Sequence, residues 1–316
     1  MKHYMSIKDI KNIQQAVVEC QKIKLDCSGQ REIGKQKTLG LIFMNPSLRT
    51  KISTTQAAYN LGMDIIPIDF NTGAWGLEFQ DGIVMDGSST EHVREAAAVI
   101  GEYCDVIAIR SFAKLEDKEA DAKEEIFEAF KKYSGKPVIN LESATKHPLQ
   151  MLTDLLTIEE LKTKAKPKVV LTWAPHEKAL PHAVANSFIE GIKGMDYDFI
   201  ITHPEGYELD SSIVGDIPVI HDQDKAIKDA DFVYVKNWSS FSDYGKVLNK
   251  DKNWTVTADK MKQAPKAKVM HCLPVRRNLV LSDDVLESSQ SVVIQQAKNR
   301  LYAAQYVLKT ILESET

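Results

Sequence analysis

The segment Phe43–Thr50, FMNPSLRT, carries residue types that can bind an anion. It ends an apolar run, Asn45-Pro46 predicts a turn, and Ser47 is a favoured N-cap for a helix over Leu48–Leu61. Free amides at a helix N-terminus attract anions, and the guanidinium of Arg49 can add a forked pair to a phosphate. We therefore predict a site for a phosphorylated small molecule, although an ordinary capped helix with a surface arginine fits the same string.

Three more strings lie where α/β enzymes place their chemistry, at strand ends or helix starts. Arg110 ends the apolar run 106–109, and His147-Pro148-Leu149-Gln150 begins a helix in which proline suits the first turn. The third string, His271–Arg277 (HCLPVRR), follows another apolar run. Taken singly, each has a structural interpretation: a helix-start histidine, a small buried cysteine or a solvated pair of arginines.

Two familiar phosphate motifs are excluded. Gly29–Gln36 nearly matches a P-loop, but Gln36 replaces the hydroxyl residue that would hold magnesium, and the stretch precedes a predicted strand instead of following one. No G-x-G-x-x-G follows any candidate strand, so a nucleotide-dependent oxidoreductase lacks its fingerprint.

Composition narrows the class of protein. With 316 residues and 43% hydrophobic residues, the chain can bury a substantial core and form two domains. The net charge of −4 and the lack of a long basic block argue against a nucleic-acid partner. The N-terminus has no apolar leader and no apolar run could span a membrane, so we expect a cytoplasmic protein. The four cysteines lack CxxC pairing, which argues against a disulfide scaffold or a zinc site.

Short apolar runs alternate with helical patterns, which predicts an α/β fold with parallel sheets. We expect two doubly wound parallel-sheet domains, 1–146 and 147–294, with an interdomain cleft as the default site and a C-terminal helix, 295–316, packing back on the first. The predicted strands are 39–43, 65–68, 106–110, 138–140, 169–173, 199–202, 219–221, 232–235 and 269–272. The predicted helices with defined bounds are 48–61, 91–103, 123–133, 147–162 and 295–313.

Together the strings resemble a known family. S-x-R-T, an arginine at a later strand end, H-P-x-Q and H-C-L-P, in this order, are similar to the aspartate and ornithine carbamoyltransferases over essentially the whole chain. Within the family, the segments GAWGLEFQDG, WAPH, HPEGYELD and HCLPVRRN resemble the branch that acts on N-acylated ornithine, the N-succinylornithine type above all. The resemblance implies carbamoyl phosphate as donor, no cofactor and no metal, and a homotrimer with shared active sites.

The resemblance also implies roles for individual residues. Arg110, His147 and Cys272 would be catalytic, and preorganised donors aimed at a developing oxyanion are what acyl transfer requires. Trp75, in the loop 71–76, would reach into the neighbouring subunit's site. The residues implied to bind carbamoyl phosphate are Ser47, Leu48 by its amide, Arg49, Thr50, Trp75, Arg110, His147, Gln150, Cys272, Leu273 and Arg300.

The acceptor region departs from ordinary ornithine carbamoyltransferases. Lys236 stands where those enzymes carry an aspartate for the free α-ammonium, and the S-M-G string is missing. An acylated nitrogen is a neutral amide, so only the α-carboxylate needs a partner, which Lys236 and Arg276 can supply. Glu142 resembles the family residue that contacts the acceptor near its nitrogen. Aspartate and putrescine therefore fit less well as acceptors.

The choice of acyl group depends on charge. A succinyl arm carries a carboxylate, and His176 with Lys178 offers positive charge for it. Thr90 stands where acetyl-specific enzymes carry a glutamate, so no carboxylate there repels succinate. Adjacent Glu91 and Glu177 weaken this inference, and N-acetylornithine remains the alternative acceptor. The alternative to an enzyme is a catalytically inactive homologue that only binds its ligand.

Overall fold

The computed structural model describes residues 1–70 and 73–314, so Asn71 and Thr72 of the predicted loop lie outside the described residues. The chain divides into two compact units, Met1–Leu149 with Arg300–Thr316, and Gln150–Asn299. The divisions therefore fall at Leu149 and Arg300 instead of at 146 and 295. Each unit has its own parallel sheet, which confirms the predicted pair of parallel α/β domains.

The first unit is built on a four-stranded parallel sheet in the order β2-β1-β5-β6. Its strands are β1 Thr38–Phe43, β2 Asp64–Asp69, β5 Val106–Arg110 and β6 Val138–Glu142, and a separate pair comprises β3 Leu77–Glu78 and β4 Glu91–His92. Its helices are a 3-10 turn, Ile7–Asp9, and α1 Ile13–Leu25, α2 Leu48–Leu61, α3 Val93–Tyr103, α4 Lys118–Ala122 and α5 Glu125–Tyr133.

The order of strands in this sheet places two predicted site segments side by side. β1 and β5 are buried almost throughout, as strands covered on both faces must be. They are neighbours at the point where the strand order reverses, and Phe43 and Arg110 are register partners at their carboxyl ends. Such a switch point is where open α/β sheets bind ligands.

The second unit contains a five-stranded parallel sheet in the order β11-β10-β7-β8-β9. Its strands are β7 Lys168–Trp173, β8 Asp198–Thr202, β9 Val219–Ile220, β10 Phe232–Lys236 and β11 Lys268–Met270. The helices are α6 Pro148–Leu161, α7 Ala183–Ile192, α8 Ser211–Val214, α9 Gln223–Ile227, a 3-10 turn Lys252–Trp254, α10 Ala258–Met261 and α11 Asp283–Leu286. The last helix, α12 Val293–Glu313, begins in this unit and belongs to the first unit from Arg300 onward. Here the strand order reverses between β7 and β10, where Lys236 and Trp173 are register partners.

Two sequence predictions need correction, and one helix was missed. Helix α3 begins at Val93, not at 91, because Glu91 and His92 pair with β3 and the His92 side chain caps the helix. Strand β11 ends at Met270, so His271 and Cys272 belong to the following loop. Helix α1 was not predicted, although its buried residues Ala16, Val17, Cys20 and Ile23 have helical spacing.

The two helices at the divisions between units match their predicted bounds closely. Helix α6 covers all but the ends of the predicted 147–162, and α12 extends the predicted 295–313 by one half-turn at its start. Within residues 1–70 and 73–314, no helix is long and apolar enough to cross a membrane.

Candidate active site

The turn before α2 exposes helix amides as the sequence predicts. Ser47 is the N-cap residue, in an extended conformation, but its hydroxyl makes no capping hydrogen bond. The first hydrogen bond of the helical ladder runs from Lys51 N to Ser47 O, over 3.2 Å. The amides of Leu48, Arg49 and Thr50 therefore belong to the first turn, whose N–H groups have no intrahelical acceptor.

Arg110 ties this turn to the end of β5. Its Nη1 donates to the carbonyl oxygens of Asn45 and Pro46, each over 2.9 Å, and its Nε donates to Glu142 Oε2 over 3.1 Å. The guanidinium also lies 3.8 Å from the ring centroid of Phe112. This buried arginine thus holds the turn at Asn45-Pro46 in place and brings a fixed positive charge beside it.

Glu142 lies between two of the predicted catalytic side chains. Its Oε2 accepts from Arg110 and lies 3.7 Å from His147 Nε2, and all three residues are buried. A buried carboxylate requires such donors, because leaving it unpaired is costly. In this structure Glu142 therefore orients Arg110 and His147, a function additional to the acceptor contact that the resemblance implies.

Arg300 meets the same turn from the C-terminal helix. Its Nη2 donates to Thr50 Oγ1 over 2.6 Å, and both side chains are buried. The guanidinium groups of Arg110 and Arg300 are thus both hydrogen-bonded to residues at the start of α2: Arg110 to Asn45 and Pro46, and Arg300 to Thr50. Fixed positive charge of this kind suits a phosphate.

Glu124 is a supporting residue that the sequence reasoning missed. It accepts hydrogen bonds from Ser143 Oγ over 2.6 Å, from Thr145 N over 3.0 Å and from Thr145 Oγ1. Glu124 itself has a positive φ of 46°. These bonds hold the turn that leads into His147. The only sequence signal was the pair of hydroxyl residues in that turn, and nothing in it pointed to position 124.

In the second unit, Gln150 belongs to a buried hydrogen-bonded chain. Gln150 Nε2 and Gln296 Nε2 each donate to Asp154 Oδ1 over 2.7 Å. Gln296 Oε1 in turn accepts from His271 N over 2.9 Å, and His271 Nδ1 accepts from Leu273 N over 2.8 Å. The chain therefore connects the predicted carbamoyl residue Gln150 with the HCLP loop.

Cys272 of that loop is half-buried and lies close to Tyr234. Burial raises the pKa of the fully buried Tyr234, with further contributions from nearby Asp154 and Cys272. Across the described ranges, no three His, Cys, Asp or Glu side chains are grouped as a metal site would need.

Three predicted acceptor residues lie together near the ends of β7 and β10, namely His176, Lys236 and Arg276. Arg276 Nε donates to His176 Nε2 over 3.2 Å. Burial lowers the pKa of His176, and the charges of Arg276 and Lys236 lower it further, whereas a hydrogen bond with the Lys178 backbone opposes this. A neutral His176 can accept from Arg276, so the positive charges available to a carboxylate are those of Lys236 and Arg276.

Two neighbours of this group differ from expectation. Lys178 contacts His176 through its backbone, and its side chain is exposed. Arg277 donates to Asp283 over 2.9 Å and to Glu287 over 2.6 Å, so it is paired on the surface, whereas Arg276 contacts His176.

Trp75 and Thr90 are neighbours in the first unit. Trp75 Nε1 donates to Glu91 Oε2 over 2.7 Å, and Thr90 N donates to Gly76 O over 3.1 Å. The Trp75 side chain is 56% exposed and Thr90 is exposed as well. The β3–β4 pair thus joins the tryptophan loop to the segment that was expected to decide acyl preference.

Comparison with known proteins agrees with this geometry. The family model described as "Aspartate/ornithine carbamoyltransferase, carbamoyl-P binding domain" matches residues 2–160, and the model described as "Aspartate/ornithine carbamoyltransferase, Asp/Orn binding domain" matches residues 181–311. N-succinylornithine carbamoyltransferase of Bacteroides fragilis is 51% identical over 316 residues, covering 99% of each chain. N-acetylornithine carbamoyltransferase of Xanthomonas campestris pv. campestris is 35% identical, covering 88% of each chain.

A solved structure shows the same architecture. It is a variant of N-acetyl-L-ornithine transcarbamylase with a glutamate replaced by serine, complexed with carbamyl phosphate and N-succinyl-L-norvaline. Its TM-score is 0.91 at 32% identity, covering 98% of this chain and 100% of that one. The chain belongs to the aspartate/ornithine carbamoyltransferase family and is a carbamoyltransferase.

Proposed function

We propose that this protein transfers the carbamoyl group of carbamoyl phosphate to the δ-amine of N-succinyl-L-ornithine, giving N-succinyl-L-citrulline and phosphate in arginine biosynthesis. The observation that carries the donor half is the anchoring of Arg110 on the carbonyls of Asn45 and Pro46, beside the first turn of α2. Arg300, anchored on Thr50, adds a second guanidinium. This arrangement suits a small, highly charged phosphate compound.

The proposed reaction needs positioned charge and no covalent intermediate. The neutral δ-amine attacks the carbamoyl carbon, the new C–N bond forms, the C–O bond to phosphate breaks, and the leaving phosphate takes the amine proton. Arg110 and His147 stabilise the carbamoyl oxygen as it becomes negative, and Gln150 binds the carbamoyl amino group. The phosphate is bound by Ser47, Leu48, Arg49, Thr50 and Arg300, with Cys272 and Leu273 facing the reacting carbon.

The acceptor half of the proposal depends on Lys236. The register of β10 with β7 places Lys236 beside Trp173, at the switch point of the second sheet. Its charge, together with that of Arg276, pairs the α-carboxylate of the acceptor. No carboxylate is needed for the α-nitrogen, since acylation has removed its charge. Glu142 contacts the acceptor near that nitrogen while holding Arg110.

Charge also supports succinyl over acetyl. We propose that Thr90 occupies the position of the glutamate whose replacement by serine gave the complex with N-succinyl-L-norvaline, so that here, as in that variant, no carboxylate stands at this position. The carboxylates that follow Thr90 and His176 in the sequence are both engaged: Glu91 accepts from the Trp75 indole, and Glu177 lies 3.3 Å from Lys250. Beside His176 the positive charge comes from Arg276, which donates to it, and this charge favours an acyl arm that carries a carboxylate.

We also propose that the protein is a homotrimer in which Trp75 completes the site of a neighbouring subunit. Leu48, Ile52 and Tyr59 lie along one face of α2 and are 70%, 60% and 52% exposed. β2, with the exposed Ile66, is an edge strand of its sheet. Exposed apolar side chains grouped in this way are typical of subunit interfaces. The interface would begin at the same turn that binds phosphate.

The proposed compartment is the cytoplasm. None of Cys20, Cys27, Cys104 and Cys272 forms a disulfide. Cysteines that form no disulfide are usual where glutathione and thioredoxin keep proteins reduced. Localisation of a tagged full-length chain in its host cell, with fractionation, tests this point.

A competition assay tests the main proposal. The purified protein is given carbamoyl phosphate with equal concentrations of N-succinyl-L-ornithine and N-acetyl-L-ornithine, and the two citrulline products are separated and quantified. We expect the succinyl product to dominate, with phosphate released in equal amount. Dominance of the acetyl product would establish the alternative acceptor. If neither acylated ornithine nor free ornithine gives a citrulline-type product, the protein is an inactive homologue and the proposal is wrong.

A further inference from the structure

Asp154 is a fully buried carboxylate to which neither the sequence reasoning nor the mechanism above gives a function. It lies one helical turn after Gln150 on α6, and its Oδ1 accepts from Gln150 Nε2 and Gln296 Nε2, each over 2.7 Å. The hydroxyl of buried Tyr234 lies close enough for Asp154 to contribute to raising its pKa. All the groups named around this carboxylate are therefore hydrogen-bond donors.

The chemistry of a carboxylate fixes the orientation of both amides. One oxygen, Oδ1, accepts from both glutamines, so each of them turns its NH2 group toward Asp154. The carbonyl oxygen of Gln296 then faces the other way and accepts from His271 N over 2.9 Å. By the same logic, the carbonyl oxygen of Gln150 faces away from Asp154.

We propose that Asp154 is a positioning residue that presents the carbonyl oxygen of Gln150 to the amino group of the carbamoyl moiety. The inference rests on the proposed function, in which Gln150 binds that amino group. The carbamoyl amino group has two hydrogens and needs an acceptor, whereas a reversed Gln150 would oppose it with its own NH2. One buried carboxylate thus decides whether Gln150 binds the donor substrate productively.

The same carboxylate acts on the HCLP loop through a second amide. Because Gln296 is held by Asp154 at one end, its carbonyl oxygen fixes His271 N at the other. His271 Nδ1 accepts from Leu273 N, which closes the loop around Cys272. Asp154 therefore aligns two groups that are assigned to carbamoyl phosphate, Gln150 and the Cys272-Leu273 pair.

A reciprocal exchange of amide and carboxylate tests the proposal. Both glutamines donate to the same oxygen, Oδ1, so Asp154→Asn alone can keep both hydrogen bonds, whereas Asp154→Leu removes their shared acceptor. For Asp154→Leu we expect kcat/KM for carbamoyl phosphate to fall about 10- to 100-fold. Gln150→Glu alone sets two carboxylates against each other and should cause a loss of similar size.

The double variant Gln150→Glu with Asp154→Asn should recover most of the wild-type kcat/KM. The new amide can donate to the new carboxylate and still accept from Gln296, and an oxygen again faces the substrate. Glu159→Gln is the matched control, because Glu159 is a carboxylate on the same helix that contacts Lys162 and Tyr197 instead. We expect it to retain wild-type kinetics.

Thermal unfolding separates positioning from a loss of fold. If the double variant is folded, with a melting temperature near that of wild type, and yet remains as slow as Gln150→Glu, the proposal is wrong. Wild-type kinetics for folded Asp154→Leu would also overturn it. Lack of carbamoyl transfer by the wild-type protein would instead refute the proposed function, so the two failures are distinguishable.

Discussion

Arg300 donates a hydrogen bond to Thr50 over 2.6 Å, across a separation of 250 residues in the chain. The bond forms because the last part of α12 belongs to the same compact unit as α2. Thr50 lies in the first turn of α2, so the arginine is held against the amides proposed to bind phosphate. The contact gives the anion site a component from each end of the chain.

Replacing Arg300 by lysine should weaken the binding of carbamoyl phosphate. Lysine keeps the charge but cannot hold Thr50 and a phosphate oxygen with one planar group. We expect KM for carbamoyl phosphate to rise about 10-fold or more, with KM for the acceptor unchanged. Initial-rate kinetics measure both. Arg277→Lys is the control, since Arg277 is paired with Asp283 and Glu287, and it should behave as wild type.

Trp75→Ala should nearly abolish turnover without unfolding the protein, because the indole is exposed within one chain and is proposed to act in the next. Mixing Trp75→Ala subunits with Arg110→Ala subunits, after reversible dissociation, should restore part of the activity. Some sites of a mixed trimer would contain both an intact Trp75 and an intact Arg110. Normal activity of Trp75→Ala, or mixed oligomers as inactive as their parents, would contradict a shared site. Light scattering on the same samples measures the subunit number.

Thr90→Glu should shift the acceptor preference from succinyl toward acetyl. Glutamate at this exposed position adds a negative charge facing the succinyl carboxylate, but it meets only a methyl group on an acetyl arm. We expect the ratio of kcat/KM values, succinyl over acetyl, to fall about 10-fold or more. Thr90→Gln, with the same size and no charge, controls for bulk. An equal drop in both variants would assign the effect to size instead of charge.

The stability of the protein should depend on pH through His203. Burial, as the largest cause, lowers the pKa of this histidine below its ordinary value of 6.5. The unfolded chain therefore binds more protons just below pH 6.5, so the unfolding free energy should decrease as the pH falls through that range. His203→Gln removes this titration and should show a smaller loss of unfolding free energy between pH 7.5 and 5.5.

Denaturant unfolding at each pH measures the effect, and the interval from pH 7.5 to 8.5, where histidine does not titrate, is the internal control. An unchanged pH dependence in His203→Gln would exclude a contribution from this residue.

Much of the fold was accessible from the sequence because it is encoded by local pattern. The bounds of α2 and the N-cap position of Ser47 were predicted correctly, since turn chemistry and helical spacing act within a few residues. The apolar runs that became β1, β5, β7 and β10 were also found. The two-residue pair β3–β4 was not found, because its strands are too short to carry a periodic pattern.

Side-chain partners were the part that sequence did not determine. Arg276 and Arg277 are adjacent and identical in type, yet one binds His176 and the other binds Asp283 and Glu287. No pattern in the string HPLQMLTD marks Asp154, although its side chain accepts hydrogen bonds from both Gln150 and Gln296. These choices depend on which residues the strand order and helix packing bring within hydrogen-bond distance.

The sequence by itself determined the elements and the chemical types: a helix that starts after Ser47, strands that end at Arg110 and near Lys236, and the strings that resemble carbamoyltransferases. Tertiary structure alone decided that Arg110 holds the turn at Asn45-Pro46, that Arg300 meets Thr50, and that Asp154 accepts from two amides. Local pattern acts over one or two turns, whereas hydrogen-bond partners are selected by proximity and direction, which only the folded chain supplies.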